Sequence, residues 1–148
     1  MGLASGAVAG LGSITPACGY VGLEASLFIG GIAGVICYMA VLAKDSLGYD
    51  DSLDVVGIHG VGGIWGTFCT GLFASRLINA EGGDGLLFGN AHQLLVQVIG
   101  IGAVLAYSAI ATALLLYAIK ALMGLRVTEE DEELGVDTSA HGEVGYSL

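Results

Sequence analysis

Four stretches of this chain contain no Asp, Glu, Lys or Arg: Met1 to Leu23, Ala25 to Ala43, Val55 to Ser75 and Gly85 to Ile119. A soluble domain keeps about 25% of its residues charged because its surface faces water. Here the charged share is 12% and the hydrophobic share 55%. Roughly 20 helical residues cross the ~30 Å of bilayer hydrocarbon, so apolar runs of about 18 or more read as membrane spans. A single run could be the core helix of a soluble protein. Four of them, with almost no amphipathic surface helix between, argue against that reading. The expected fold class is all-α, a polytopic transmembrane helix bundle.

What charge remains is segregated. Seven of the 14 acids follow Arg126: Glu129, Glu130, Asp131, Glu132, Glu133, Asp137 and Glu143. The net charge of −10 therefore describes a tail and some span ends. No basic patch exists, which excludes nucleic acid as a partner. Cys18, Cys37 and Cys69 fall in or beside apolar runs without CxxC spacing. They read as small buried apolar residues rather than a disulfide framework or a metal site.

The spans are expected at about 1–14, 22–43, 53–74 and 91–123, making residues 1–126 a membrane region and residues 127–148 a polar, acidic, aperiodic tail. The first run begins flush at Met1, without the positive flank of a signal peptide, and stops at Thr15-Pro16. It reads as the end of a longer helix, so truncation at the N-terminus is expected. The fourth run, at nearly 50 Å of helix, must tilt or project beyond the bilayer. Lys44, Lys120 and Arg126 fall on one side of the membrane and Arg76 on the other. The positive-inside rule then puts the tail and the Lys44 loop in the cytoplasm.

Helices in lipid lack a hydrophobic drive toward one another and rely on small residues for close packing. Gly2, Gly6 and Gly10 recur every four positions, as do Gly30 with Gly34 and Gly62 with Gly66. These series are expected at helix contacts in a dense bundle.

His59 is the position with most chemical meaning. An ionisable side chain at membrane depth costs a few kcal/mol on insertion scales, so it faces protein or a water-filled cavity. Imidazole titrates near neutral pH and suits proton handling. The bland reading is a core histidine satisfied by a backbone carbonyl, and spacing alone leaves both open. No His, Cys or carboxylate sits three or four residues away, so no metal or cofactor is expected. Asp54, five residues earlier, is offset by about 140° of helical rotation and does not face His59. It is either a first-turn carboxylate answering free N–H groups or an anionic feature near a cytoplasmic pore mouth. His92 reads as an interfacial cap and His141 lies in the tail. Ser5, Ser13 and Thr15 carry hydroxyls that most often bond back to the i−4 carbonyl.

Four blocks in order give the chain a resemblance to the ammonium transporter (Amt/Mep/Rh) family. They are Gly6-Ala-Val-Ala-Gly-Leu-Gly-Ser-Ile-Thr-Pro-Ala-Cys-Gly-Tyr-Val21, Asp50-Asp-Ser-Leu-Asp-Val-Val-Gly-Ile-His-Gly-Val-Gly-Gly-Ile-Trp-Gly66, His92-Gln-Leu-Leu-Val-Gln97, and Gly124-Leu-Arg-Val-Thr-Glu-Glu with Leu134-Gly-Val-Asp and His141-Gly-Glu143. The resemblance implies an eleven-helix fold with inverted halves, of which this chain holds the last helices, assembled as a homotrimer in the cell membrane. It implies a narrow hydrophobic pore with two histidines in contact, His59 matching the second. Val55 then lines the pore below His59, Val8 faces it, and Ser5 and Thr15 carry hydroxyls along or near the path. Asp54 matches a cytoplasmic-side aspartate. Ammonium would lose its proton and cross as ammonia, and the tail resembles one that binds PII signalling proteins. Two rivals stand beside this reading. A sensor or assembly module of the same fold would want a signalling domain, and a membrane enzyme would want a nucleophile or metal set near His59. The sequence supplies neither.

Overall fold

The computed structural model describes residues 2–145. The start of the first run at Met1 and the last three residues of the tail lie outside that range. The described chain is all-helical, as the charge-free runs demand. It falls into two compact units, one ending at Leu105 and one running Ala106–Leu148.

In the first unit, α1 spans Leu3–Ile14 and tightens into a 3₁₀ turn, Thr15–Ala17, where Pro16 removes a backbone donor. Helix α2 spans Leu23–Leu47. It outruns the apolar stretch through Lys44 and Asp45, because charge ends a hydrophobic run without ending a helix. The end comes at Gly48, whose φ of +69° places it in the left-handed region, with its N–H donating to the Lys44 carbonyl. A π-helical turn, Val56–Gly60, leads directly into α3, Val61–Phe73. A short 3₁₀ turn, Leu86–Phe88, precedes α4, Ala91–Met123. Helices α2 and α4 are each long and apolar enough to cross a membrane.

Helices α1, α2 and α3 pack on one another through small side chains. On α1 and the 3₁₀ turn that continues it the fully buried positions are Ala9, Ser13 and Ala17, and on α2 they are Ile29, Ala33 and Cys37. Both series step by four residues, the ridge spacing by which helices interdigitate. The expected glycine series on these two helices is displaced from the contact. A Cβ at Gly6, Gly10, Gly30 or Gly34 would meet no described atom within 4 Å. Each series runs one position, about 100°, away from the buried stripe. On α3 the expectation is met. A Cβ at Gly62 would lie 2.8 Å from Ser13 Oγ and 3.3 Å from Cys37 Sγ, and one at Gly66 would overlap the Ser13 carbonyl oxygen. Two apolar clusters result: Ala9, Cys37 and Ile58 at one level, and Ala17, Ile29 and Cys69 at another, the second edged by Trp65 and Phe73. The Trp65 indole N–H donates to the Ile29 carbonyl at 3.1 Å, tying α3 to α2.

The second unit contains the rest of α4 and the tail. The tail is not aperiodic as expected. It forms a short helix, α5, Glu129–Leu134, and a π turn, Asp137–His141. Thr128 caps α5 by accepting from Asp131 N at 3.2 Å, while its hydroxyl donates to the Asp131 carboxylate at 2.7 Å. Acidic residues crowd the first turn, where the helix dipole favours them. Arg126 donates through Nε and Nη2 to the two Glu132 carboxylate oxygens at 2.8 and 2.9 Å.

Candidate functional site

His59 lies within the π-helical turn that opens the third helix. Such turns insert one extra residue into the helical ladder and recur at functional sites. Three points on one face of α2 hold this turn and the connection before it. The Cys37 thiol donates to the Ile58 carbonyl at 3.7 Å. Gly57 sits on Val41 so closely that a Cβ would lie 2.8 Å from Val41 Cγ2 and 3.2 Å from its backbone N. Lys44 Nζ reaches both the Asp54 carboxylate at 2.6 Å and the Asp51 carbonyl at 2.8 Å.

With Gly57 and Ile58 held by α2, the neighbouring His59 remains exposed. It lines a cavity of about 320 Å³ with Gly60, Gly63, Ile64 and Thr67 of the same helix, Pro16, and Gly100, Ile101, Val104 and Leu105 of α4. Thr67 supplies the other polar side chain in that lining. Gly12 of α1 comes against the ring, since a Cβ there would stand 4.0 Å from His59 Nδ1. The ring is exposed, and no hydrogen bond ties it to another described residue. Among the described residues no backbone carbonyl satisfies the ring. The imidazole thus stands in a mostly apolar lining with no described hydrogen-bond partner at either nitrogen.

The other expected site residues scatter. Val8 and Val55 are 39% and 48% exposed and neither lines the cavity. Ser5 is half-buried on α1. Thr15 is exposed, and its hydroxyl donates to the Leu11 carbonyl at 2.7 Å, the local back-bond that a helical threonine favours. Ser13 departs from that habit. It is fully buried, with its oxygen over Gly62 beside the Cys37 sulfur. Asp54 and His59 stay apart, as their spacing requires.

The helix-start role falls to Asp51, not Asp54. The two Asp51 carboxylate oxygens accept from Val55 N at 2.9 Å and Val56 N at 2.8 Å, answering the first free amides of the helix. Asp54 instead turns its carboxylate to Lys44. Its backbone has φ +57°, the sole positive φ among the described non-glycine residues. Asp tolerates this region better than most residues, yet such strain costs on the order of 1–3 kcal/mol and persists where surroundings enforce it. The side chains of Lys44 and Asp54 are 20% and 28% exposed, so water screens this pair less than a surface one. The sequence signal was present in the acidic run Asp50-Asp51, but nothing local told which aspartate would cap.

Comparison with known proteins bears on this arrangement. The model of the Ammonium Transporter Family matches residues 1–146. The ammonium transporter of Aquifex aeolicus is 54% identical, over 100% of this chain and 34% of its own length. That of Bacillus subtilis is 44% identical, over 99% of the chain and 36% of its own. Among solved structures, Candida albicans Mep2 superposes with a TM-score of 0.79 at 40% identity, covering 88% of this chain and 30% of that one. Saccharomyces cerevisiae Mep2 does so with 0.80 at 39% identity, covering 93% and 32%. The chain thus spans about a third of the length of the curated relatives it matches. The family match over residues 1–146, together with the similarity of sequence and fold to these transporters, makes this chain a member of the ammonium transporter family.

Proposed function

We propose that this segment supplies one wall of an ammonia-conducting pore in a longer membrane transporter. Ammonium gives up its proton and crosses as ammonia, because a bare cation in an apolar passage forfeits tens of kcal/mol of hydration in the idealised limit. His59 takes part in that proton's handling, with a second histidine contributed from a helix outside this chain. Val55 and Val8 line the passage outside the cavity beside His59, Ser5 and Thr15 place hydroxyls along it, and Asp54 marks its cytoplasmic mouth. The working assembly is a homotrimer in the cell membrane with the tail in the cytoplasm, where its acidic segment offers a surface to a PII signalling protein.

The observation that carries this reading is the His59 ring, without a hydrogen bond to another described residue and lining an apolar cavity beside Gly12 and Pro16. The family of which the chain is a member supports the choice of substrate. The test is His59→Ala in the full-length transporter, read as methylammonium uptake and as discrimination against potassium. Loss of uptake or of discrimination is expected. Wild-type values for both would overturn the role given to His59.

A further inference from the structure

We propose that Lys44 is a positioning residue for His59, acting through Asp54: the ion pair at the end of α2 holds the residue before the third helix in a left-handed conformation, and this sets the π turn that presents the imidazole. The inference rests on the pore reading of His59. Its structural half stands independently of that reading.

Lys44 uses two of its three donors on the connection, one to the Asp54 carboxylate and one to the Asp51 carbonyl. The pair therefore staples both ends of the turn preceding the helix to α2. Asp51 then caps Val55 and Val56 with its carboxylate, which fixes where the helix starts. The Asp54 carbonyl already accepts from Ile58 N at 2.9 Å, so its φ of +57° feeds directly into the following ladder. Two residues later the ladder widens, and Val61 N–H donates to the Val56 carbonyl. An inserted residue changes the helical face by about 100°. The π turn thus decides how residues before Val61 are aimed relative to the Gly62–Gly66 face packed on α1. Cys37, Val41 and Lys44 succeed one another along a single stripe of α2, and Lys44 closes the end at which the backbone is strained.

The experiment uses the full-length transporter with Lys44→Met, Lys44→Arg, Asp54→Ala, Asp54→Gly and the double variant Lys44→Met/Asp54→Gly. Glycine adopts positive φ without steric cost, so it replaces the clamp's effect on the backbone while removing the charges. One readout is amide hydrogen exchange over residues 55–61 in the membrane-embedded protein. The other is the pH profile of methylammonium uptake. Lys44→Met and Asp54→Ala are expected to speed exchange roughly tenfold, the scale of losing a hydrogen bond to a charged group, and to displace the pH profile. Lys44→Arg is expected to keep both. The double variant is expected to recover wild-type exchange, the readout taken for it, because its backbone needs no clamp.

Unchanged exchange in a folded Lys44→Met protein overturns the proposal. So does a double variant whose exchange stays as fast as that of Lys44→Met, since the charge itself would then matter. If Lys44→Met does not fold but the double variant does, with wild-type exchange, the proposal stands. If neither folds, Lys44 holds the whole bundle and the proposal falls. If exchange responds while the pH profile does not, His59→Ala separates the cases. A normal His59→Ala transporter shows that the pore reading failed, and a defective one shows that positioning by Lys44 failed.

Discussion

Gly62 and Gly66 sit four residues apart on the same face of α3, yet alanine should behave differently at each. At Gly66 an added methyl would overlap the Ser13 carbonyl oxygen and lie 2.8 Å from its carbon and 3.2 Å from Pro16 Cδ. Those atoms belong to backbone and a proline ring, so relief requires moving α1 as a body. Overpacking of this kind costs about 3 kcal/mol, the upper end of its usual range. Alanine returns about 1 kcal/mol of helix propensity over glycine, which leaves a net loss of about 2 kcal/mol. At Gly62 the nearest atom is the Ser13 hydroxyl at 2.8 Å, followed by Cys37 Sγ at 3.3 Å. Both are side-chain ends, and the net loss there is expected near 0–1 kcal/mol. The two sites are separated by Ser13→Ala. It removes the oxygen that obstructs Gly62→Ala and leaves the carbonyl that obstructs Gly66→Ala. Coupling of at least about 1 kcal/mol is expected between positions 13 and 62, and coupling near zero between 13 and 66. Denaturant unfolding of the full-length transporter in detergent, over both double-mutant cycles, measures these terms. Equal rescue at both glycines, or a Gly66→Ala protein as stable as wild type, would refute the reasoning.

Trp65→Phe removes the indole N–H from the Ile29 carbonyl and should cost about 1 kcal/mol in the same unfolding assay. Thr128→Ala removes the α5 cap and should weaken that helix by about 1 kcal/mol, visible as lost helical chemical shifts for residues 129–134. Hydrogen bonds from the Arg126 guanidinium hold the Glu132 carboxyl below the usual carboxylate range. Because the folded value is the depressed one, the tail's ordering by this pair is complete above the ordinary carboxylate value and is lost as pH falls through Glu132's own lowered value. Amide exchange in the tail between neutral and strongly acidic pH should follow that course. Arg126→Met should return the Glu132 titration, followed by carboxyl NMR, to the ordinary range near about 4.3.

The fold class was legible in the residues because a helix satisfies its backbone hydrogen bonds locally. A charge-free stretch of membrane length leaves few other ways to do so. His59 was legible for a related reason: one imidazole in an apolar, glycine-rich run stands out whatever its neighbours are. Element ends were less so. Hydropathy marks where α2 leaves apolar surroundings, while Gly48 decides where its ladder stops. The tail's acidic run hid a capped helix because the cap and its Arg126–Glu132 pair work at three- and six-residue range rather than through periodicity.

Sequence alone thus determined that the chain is helical, membrane-suited and marked by a histidine within an apolar, glycine-rich run, since each of these follows from the chemistry of consecutive residues. Tertiary structure alone decided which small residues meet. Ala9, Ser13 and Ala17 face the neighbours, while Gly6 and Gly10 do not. It also decided that Asp51 caps while Asp54 pairs with Lys44, and that the third helix opens with a π turn. The physical reason is that a helix face is chosen by what packs on it. A rotation of about 100° per residue means that a shift of one position exchanges contact for open space, and no local pattern reports which position the partner helix will take.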